Sequence, residues 1–549
     1  MLDGCVDWPQ EFAQRYRARG YWEDITLFEL VSLAAARSPD KLAVIDGTRR
    51  VTYGELLRKV ELLAAGLYLQ GLRPLDRVIF QLNNSIELIV IFFALTRIGV
   101  IPVLALPAHR RTEIKHFAQA SQAVALVIPD VVRNFDYREM AREVAAHCPQ
   151  IRNVIVAGEA GKGQVGLNEL AEGMSGKQIN SLCPLPKPGD VALMLLSGGT
   201  TGLPKLIPRT HADYIYGSRQ SAQAAGFDSD SVFLAVLPIS HNYTLGAPGV
   251  VGMVSSGGTT VIASGTSADI VFPVIEQEHV TVVSAAVPLV AKWLGSGLFN
   301  RYDLSSLKVF MNGGAKLVPE LRRRVEEEFH CTYQESFGTA EGLLNMTRLD
   351  DPEYVRMNSS GRPVSEADEI KVVDASGSEL PDGEPGELLV RGPYTIRGYY
   401  NAPEINAGAF DADGFYRMGD VVKKVDGYLY LEGRMKDLIN RGGEKISCEE
   451  IENHILAHPK IESACVVAMP DEVFGEKACV FTVLRQDCGL TLEELLTFLQ
   501  TREIARFKMP ERLEVVEEFP ISPAGKILRR DLREAVARKM ASEPAAVRP

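Results

Sequence analysis

Val191-Ala192-Leu193-Met194-Leu195-Leu196-Ser197-Gly198-Gly199-Thr200-Thr201-Gly202-Leu203-Pro204-Lys205 is the stretch on which the reading of the fold turns. Six apolar residues in a row read as a buried strand. It runs into a loop of glycines and hydroxyls that ends on one lysine. The glycines let backbone N–H groups approach a ligand closely, Ser197, Thr200 and Thr201 add donors, and Lys205 adds a charge. The combination predicts a cradle for anionic oxygens. A mobile polar turn would need neither the lysine nor the apolar strand before it. The spacing is not that of the G-x-x-x-x-G-K-[ST] loop, because Gly199 and Gly202 are wrongly placed and Lys205 follows Pro204, so a different kind of ATP user is implied.

Outward from this loop, up to about residue 435, short apolar runs such as Ala43-Val44-Ile45, Arg77-Val78-Ile79-Phe80, Ala125-Leu126-Val127-Ile128 and Asn153-Val154-Ile155-Val156 alternate with helical patterns such as residues 53–69. That alternation predicts α/β sheets with crossover helices. From Glu384 the texture changes to glycine-punctuated strands, Gly386-Glu387-Leu388-Leu389-Val390 and Gly427-Tyr428-Leu429-Tyr430-Leu431, as in hairpins or a small barrel. Beyond Gly433, helical patterns over residues 448–458 and 492–502 flank strand patterns over 463–469 and 479–484, a compact α+β unit. A hinge is expected near Lys436, and the tail from Ala541, rich in Ala, Pro and Glu, is expected to be disordered.

At 549 residues with 46% hydrophobic and 24% charged composition, the chain is long enough for several globular domains. A formal charge of -12 argues against general affinity for nucleic acid or an anionic membrane. Residues 88–106 form the most apolar stretch, but Arg97 and Gly99 interrupt it, so it reads as helix, turn and buried strand rather than a membrane span. The start, Met1-Leu2-Asp3-Gly4-Cys5-Val6-Asp7, has no basic or apolar run of a secretory signal. Eight scattered cysteines without a Cys-x-x-Cys pair fit a reducing cytoplasm.

The loop resembles the phosphate loop of the adenylate-forming superfamily, which contains acyl-CoA synthetases, luciferases and adenylation domains of nonribosomal peptide synthesis. Further motifs follow in family order: Val51-Thr52-Tyr53-Gly54-Glu55-Leu56, Phe337-Gly338-Thr339-Ala340-Glu341, Tyr416-Arg417-Met418-Gly419-Asp420, Gly433-Arg434-Met435-Lys436-Asp437 and Pro523-Ala524-Gly525-Lys526. The resemblance implies a large N-terminal domain (1–435) of two α/β sheets with a small β-barrel-like subdomain, followed by a small mobile α+β domain (436–549). By the same resemblance Glu341 holds Mg2+, Asp420 takes the ribose hydroxyls of ATP, Arg434 contacts the nucleotide, and Gly313, Gly314, Ala315, Phe337 and Gly338 line its site. Lys526 would bridge the substrate carboxylate and the α-phosphate as the catalytic cation. Gly442 and Gly443 would line a tunnel for a pantetheine thiol. With no Asp-Ser-Leu segment of a carrier protein near the end of the chain, any carrier is expected to act in trans.

Leu237-Pro238-Ile239-Ser240-His241-Asn242-Tyr243-Thr244-Leu245 is similar to the corresponding segment of stand-alone aryl-acid AMP ligases, those activating 2,3-dihydroxybenzoate or salicylate for siderophore and related peptide pathways. Residues 102–110, 391–400 and 439–445 match the same subfamily. The resemblance implies that Asn242 bonds the ortho substituent of the ring, Tyr243 packs on it, and His241 sits at the pocket mouth among the catalytic residues. An amide beside an aromatic platform suits a flat ring with a polar group. Ala247 stands where the 2,3-dihydroxybenzoate enzymes have a serine, and Leu344 where they have valine, which disfavours a 3-hydroxyl. Ser336 stands where relatives are apolar, so a ring nitrogen or another polar substituent could be read there. Salicylate leads; 3-hydroxypicolinate, anthranilate and 2,3-dihydroxybenzoate stay open, as does free coenzyme A in place of a carrier. A non-catalytic nucleotide-binding homologue is the alternative of another class.

Overall fold

The computed structural model describes residues 2–172, 176–197, 204–434, 437–441, 444–471, 473–502, 504, 506–522 and 526–542. Contacts divide the chain into two compact units, Met1–Glu369 with Val390–Tyr416, and Ile370–Leu389 with Arg417–Pro549.

In the first unit the alternating pattern resolves into two mixed sheets. The nine-stranded sheet runs Arg362–Pro363, Gly342–Met346, Thr332–Thr339, Val309–Gly313, Val282–Ala285, Val232–Ala235, Thr259–Ile262, Leu42–Asp46, Arg49–Thr52. From Thr332–Thr339 to Leu42–Asp46 the pairing is parallel, and the flanking strands are antiparallel. The seven-stranded sheet runs Leu206–Thr210, Val191–Leu196, Ile101–Leu104, Arg77–Phe80, Ala125–Pro129, Asn153–Ala157, Val165–Gly166, parallel except for its first strand.

Helix Tyr53–Leu69 begins where Thr52 and Glu55 exchange hydrogen bonds: the Glu55 N–H donates to the Thr52 hydroxyl (3.3 Å) and the Thr52 N–H to the Glu55 carboxylate (3.0 Å). Leu56, Val60, Leu63 and Leu67, three or four residues apart, form its buried stripe. Helix Ile86–Arg97 packs beside it and buries every residue but Glu87. Arg97 is tolerated there because its guanidinium donates to the Cys183 carbonyl (3.1 Å) and to Asn180 Oδ1 (2.8 Å). Strand Ile101–Leu104 follows, so the apolar stretch is a core helix and a core strand. Among the described residues no helix is long and apolar enough to cross a membrane.

The second unit carries most of a four-stranded sheet (Glu369–Val373, Gly386–Arg391, Tyr416–Val425, Tyr428–Arg434), whose last two strands are an antiparallel hairpin. Its other sheet has five strands, with Gly475–Leu484 paired to Leu438–Arg441, Ile461–Asp471 and Arg512–Val515. Strand alternation sends Val466 and Val480 to one face, against helices Cys448–Leu456 and Leu492–Gln500, and Cys465, Val467 and Phe481 to the other, against helix Arg529–Ser542. All eight cysteines are free thiols.

Candidate active site

Strand Val191–Leu196 pairs antiparallel with strand Leu206–Thr210, with Leu196 opposite Leu206, so the two ends of the glycine-rich segment lie side by side. Ser197 and Lys205 are joined twice. The Ser197 N–H donates to the Lys205 carbonyl (3.0 Å), and the Lys205 N–H donates to the Ser197 hydroxyl (2.9 Å). Gly198, Gly199, Thr200, Thr201 and Gly202 lie outside the described residues. The Lys205 ammonium stands 4.3 Å from the centre of the Tyr399 ring, a cation–π contact. The hydroxyl of the same tyrosine donates to Glu341 Oε1 (2.8 Å). Burial and the Glu341 carboxylate push the Tyr399 pKa up, so the hydroxyl keeps the proton it donates. One side chain therefore brings together the loop lysine and Glu341, which is only 7% exposed in its turn. The turn is pinned further by Arg209, which donates to the Ala340 carbonyl (3.0 Å), and by the Ile396 N–H, which donates to the Glu341 carbonyl (2.7 Å).

Gly313 ends its strand opposite Ser336, and Phe337 and Gly338 follow on the neighbouring strand. These are the C-terminal ends of parallel strands, where open α/β sheets receive ligands. Gly314 has φ +86°, a left-handed turn that favours glycine. Asn312 Nδ2 closes the turn by donating to the Ala315 carbonyl (2.8 Å), and also donates to Glu335 Oε2 (3.2 Å). Behind it, Arg322 and Glu335 form an ion pair at 3.2 Å with side chains 0% and 2% exposed.

Of the predicted acid-pocket residues, Asn242 and Tyr243 lie on the short helix Asn242–Gly246, Ala247 follows it, and Ser336 and Leu344 lie on strands Thr332–Thr339 and Gly342–Met346. His241 caps that helix, its Nδ1 accepting from the Tyr243 N–H (3.2 Å). The Tyr214 hydroxyl donates to Asn242 Oδ1 (3.0 Å), which commits the amide oxygen and leaves the NH2 group without a hydrogen bond among the described residues. The Tyr243 ring packs on Gly313: a Cβ added there would come within 2.8 Å of two ring carbons. Its hydroxyl is buried with no partner among the described residues, and burial raises its pKa well above the usual value. A small cavity is lined by Asn242, Leu344, Tyr214, Tyr394, Thr339 and Gly342, among others. Tyr243, Ala247 and Ser336 are not among its lining residues, although Ala247 and Ser336 are buried at 2% and 8% exposure. The Ser336 hydroxyl makes no hydrogen bond among the described residues.

Tyr214, Tyr394, Tyr399 and Arg209 belong to the site but carried no role in the sequence reading. Tyr394 and Tyr399 do lie within the matched segment 391–400, which was the one available signal. In that reading His109 also sits in a matched segment. Here it is a buried structural residue: its Nδ1 accepts from the Leu106 N–H (3.0 Å), and burial lowers its pKa to about 4.

In the second unit Asp420 lies within strand Tyr416–Val425, opposite Arg434 of strand Tyr428–Arg434. Arg434 Nε reaches Asp420 Oδ1 at 2.9 Å, and Asp420 is 1% exposed. The Ser522 N–H donates to the Lys526 carbonyl (2.7 Å) and the Lys526 N–H to the Ser522 hydroxyl (3.1 Å), which leaves the Lys526 side chain exposed. Lys436, Gly442, Gly443 and 523–525 lie outside the described residues.

Residues 31–400 match the family described as AMP-binding enzyme, and residues 450–526 match the AMP-binding enzyme C-terminal domain. The chain is 46% identical to the 2,3-dihydroxybenzoate-AMP ligase of Bacillus subtilis (strain 168), over 98% of this chain and 99% of that protein. It is 43% identical to a Streptomyces sp protein named salicylyl-CoA synthase / salicylate adenylyltransferase, over 98% of each. The apo structure of Mycobacterium smegmatis MbtA superposes with a TM-score of 0.74 at 41% identity, covering 97% of this chain and 98% of that one. With a match across more than half its length and relatives alike from end to end, the chain belongs to the AMP-binding enzyme family and is an adenylate-forming ligase.

Proposed function

We propose that the chain activates an aromatic carboxylic acid of the salicylate type. An acid oxygen attacks the α-phosphorus of ATP, the bond from that phosphorus to the bridging oxygen breaks, and pyrophosphate leaves aryl-AMP behind. A thiol then attacks the acyl carbon and AMP departs. We take that thiol to be the phosphopantetheine of an aryl carrier protein acting in trans, reached past Gly442 and Gly443.

The observation that carries the aromatic reading is Asn242. Its oxygen is committed to Tyr214, so its NH2 group is turned to donate to an acceptor such as an ortho hydroxyl oxygen. It lines one cavity with Leu344. Ala247, buried next to the cavity-lining Gly246 but not itself in the lining, stands by the resemblance where the 2,3-dihydroxybenzoate enzymes carry a serine, so that position offers no hydroxyl to a second ring substituent. An unmet 3-hydroxyl costs about 1–3 kcal/mol, which sets salicylate ahead of 2,3-dihydroxybenzoate. The relatives named for 2,3-dihydroxybenzoate and salicylate support the same class. Ser336, with an uncommitted hydroxyl, keeps 3-hydroxypicolinate and anthranilate as neighbouring choices.

In this reading Ser197 to Lys205 holds the β- and γ-phosphates, Gly313 to Ala315 with Phe337 and Gly338 lines the nucleotide, and Asp420 and Arg434 serve its ribose. His241 stands at the pocket mouth and Lys526 meets the reacting carboxylate. Magnesium is commonly held by one or two carboxylates together with substrate phosphates and water. Glu341 fits that pattern: it is a single carboxylate, oriented by Tyr399 and joined through the same ring to the phosphate-loop lysine. A bound Mg2+ would offset phosphate charge as pyrophosphate departs. Lys436 is the proposed hinge between working domains 1–435 and 436–549, and the free thiols agree with a cytoplasmic setting.

The name of one relative as a CoA synthase favours free coenzyme A as the second reading of the acceptor. Offering the enzyme, ATP and salicylate both coenzyme A and a phosphopantetheinylated aryl carrier protein separates the two. Mass spectrometry is expected to show the carrier loaded first, and preferential formation of salicyl-CoA would transfer the proposal to the second reading.

A further inference from the structure

The wall of the acid cavity at Leu344 is not held by the sheet alone. Strand Gly342–Met346 pairs with Thr332–Thr339, but the register shifts between Gly338 and Thr339. Just before Leu344, the buried Leu343 has φ +48°, a left-handed conformation that a leucine adopts only when its surroundings hold it there. The backbone N–H of Leu344 donates to the Tyr394 hydroxyl (3.1 Å), and that hydroxyl donates in turn to Asp368 Oδ2 (2.5 Å). Tyr394 lines the same cavity as Asn242 and Leu344, and its ring packs on Gly217, where an added Cβ would meet it at 3.2 Å. Its carbonyl accepts from Arg209 (3.1 Å).

Asp368 is unusual in this setting. Its Oδ1 is buried without a hydrogen bond and packs against Gly392, where an added Cβ would come within 2.3 Å of it. No ion pair reaches the carboxyl among the described residues. The titratable groups facing it are Tyr394 and, from helix His211–Ala224, Tyr216, whose hydroxyl pairs with Ser365; Glu366 lies on its own loop. Arg391, beside Gly392, is committed to Glu369 at 2.6 Å.

We propose that Asp368 and Tyr394 are positioning residues for the acid pocket: the Asp368 carboxyl orients the Tyr394 hydroxyl, and that hydroxyl fixes the Leu344 wall against which the aromatic acid is bound. The inference rests on the reading of this cavity as the acid site. The nucleotide and metal side of the turn is held by other bonds, from Arg209, Ile396 and Tyr399 to Ala340 and Glu341; Arg209 is common to both sides through the Tyr394 carbonyl, a contact that removal of the Tyr394 hydroxyl leaves in place. Burial raises the Asp368 pKa to about 8, so the neutral acid is the form that the fold favours. Because this folded pKa lies above the unfolded one, the contribution to stability is complete at low pH and is lost as pH rises towards about 8. Ionisation there buries a charge that the Tyr394 hydroxyl alone does not offset, and the desolvation cost favours movement of Asp368 and its loop towards water, away from the place where it orients Tyr394.

The test is steady-state pyrophosphate exchange by Tyr394→Phe and Asp368→Asn, with KM for acid and for ATP measured across pH. Tyr394→Phe is expected to raise KM for the aryl acid about tenfold, from loss of the hydrogen bond to Leu344, with KM for ATP changed less than about twofold. In the wild type, KM for the acid is expected to climb through about pH 8, and Asp368→Asn is expected to flatten that rise. Equal effects of Tyr394→Phe on both substrates, or on neither, overturn the inference, as does a pH rise that survives in Asp368→Asn. If Tyr394→Phe does not fold, the pH profile of Asp368→Asn decides alone. Wild-type enzyme that exchanges with no aryl acid overturns the acid-site reading itself, a separate result from wild-type exchange that these variants leave unmoved.

Discussion

Replacing Lys526 with alanine is expected to lower acid-dependent pyrophosphate exchange by about a hundredfold or more, the scale of removing one group that stabilises developing charge in a transition state. The attack of a carboxylate on the α-phosphorus brings an anion against an anion, so a cation at that point acts on the barrier more than on ground-state binding. The fold is expected to survive. The Lys526 side chain is exposed, and the contacts that shape its turn use its backbone N–H and carbonyl with Ser522. The variant should therefore keep the wild-type circular dichroism spectrum and midpoint of unfolding while KM for ATP changes little. Exchange within a few-fold of wild type removes Lys526 from the chemistry.

Arg322→Ala is expected to be the most damaging change to the first unit, costing about 3–5 kcal/mol, because it leaves the other half of a buried ion pair unanswered. Arg322 is fully buried. Its Nε donates to the Leu317 carbonyl (2.7 Å), one terminal nitrogen donates to the carbonyls of Arg356 and Ser359 (both 2.9 Å), and the other faces Glu335 at 3.2 Å. Removing it takes the donor from three carbonyls and the cation from the Glu335 carboxylate, which among the described residues keeps only its bonds from Tyr333 and Asn312. The damage reaches the nucleotide turn, since Asn312 bonds both Glu335 and the Ala315 carbonyl. Lysine is no substitute, because an ammonium cannot reproduce the guanidinium fork. Chemical denaturation checks this, with a higher KM for ATP expected in whatever folded fraction remains. A loss under about 1 kcal/mol would show that the pair contributes little beyond a hydrophobic replacement.

Periodicity made much of the fold legible. The pattern over residues 53–69 is helix Tyr53–Leu69, because Thr52 and Glu55 start it and a stripe of leucines and valine holds it. The apolar stretch 88–106 likewise resolves into helix, turn and strand. What followed the phosphate loop was not legible. Leu206–Thr210 contains Pro208, which argues against a central strand, yet the segment sits at the edge of its sheet, where a missing N–H is tolerated. The glycine-punctuated strands were visible as strands, but local texture cannot say which unit they join. Contacts group residues 370–389 and 417–434 with the second unit.

For the site, motif residues such as Glu341, Asn242 and Asp420 could be proposed in advance only through the resemblance to the adenylate-forming superfamily; their residue types alone suit a surface charge or a loop turn as well. Tyr214, Tyr399 and Arg209 could not. Each acts across a long separation in sequence: Tyr214 on Asn242, Tyr399 on Glu341, Arg209 on Ala340. Nothing in an apolar or polar period marks a tyrosine as a donor to a residue brought near only by the fold.

The central claim is that this chain adenylates an aromatic acid. Acid-dependent exchange of labelled pyrophosphate into ATP, run with salicylate, 2,3-dihydroxybenzoate, 3-hydroxypicolinate and anthranilate beside aliphatic acids and amino acids, tests it most directly. The account predicts robust exchange with at least one of the aryl acids, salicylate exceeding 2,3-dihydroxybenzoate by about tenfold from the missing hydroxyl partner at Ala247, and none with the aliphatic set. Strong exchange with aliphatic acids or amino acids and none with the four aryl acids would contradict it.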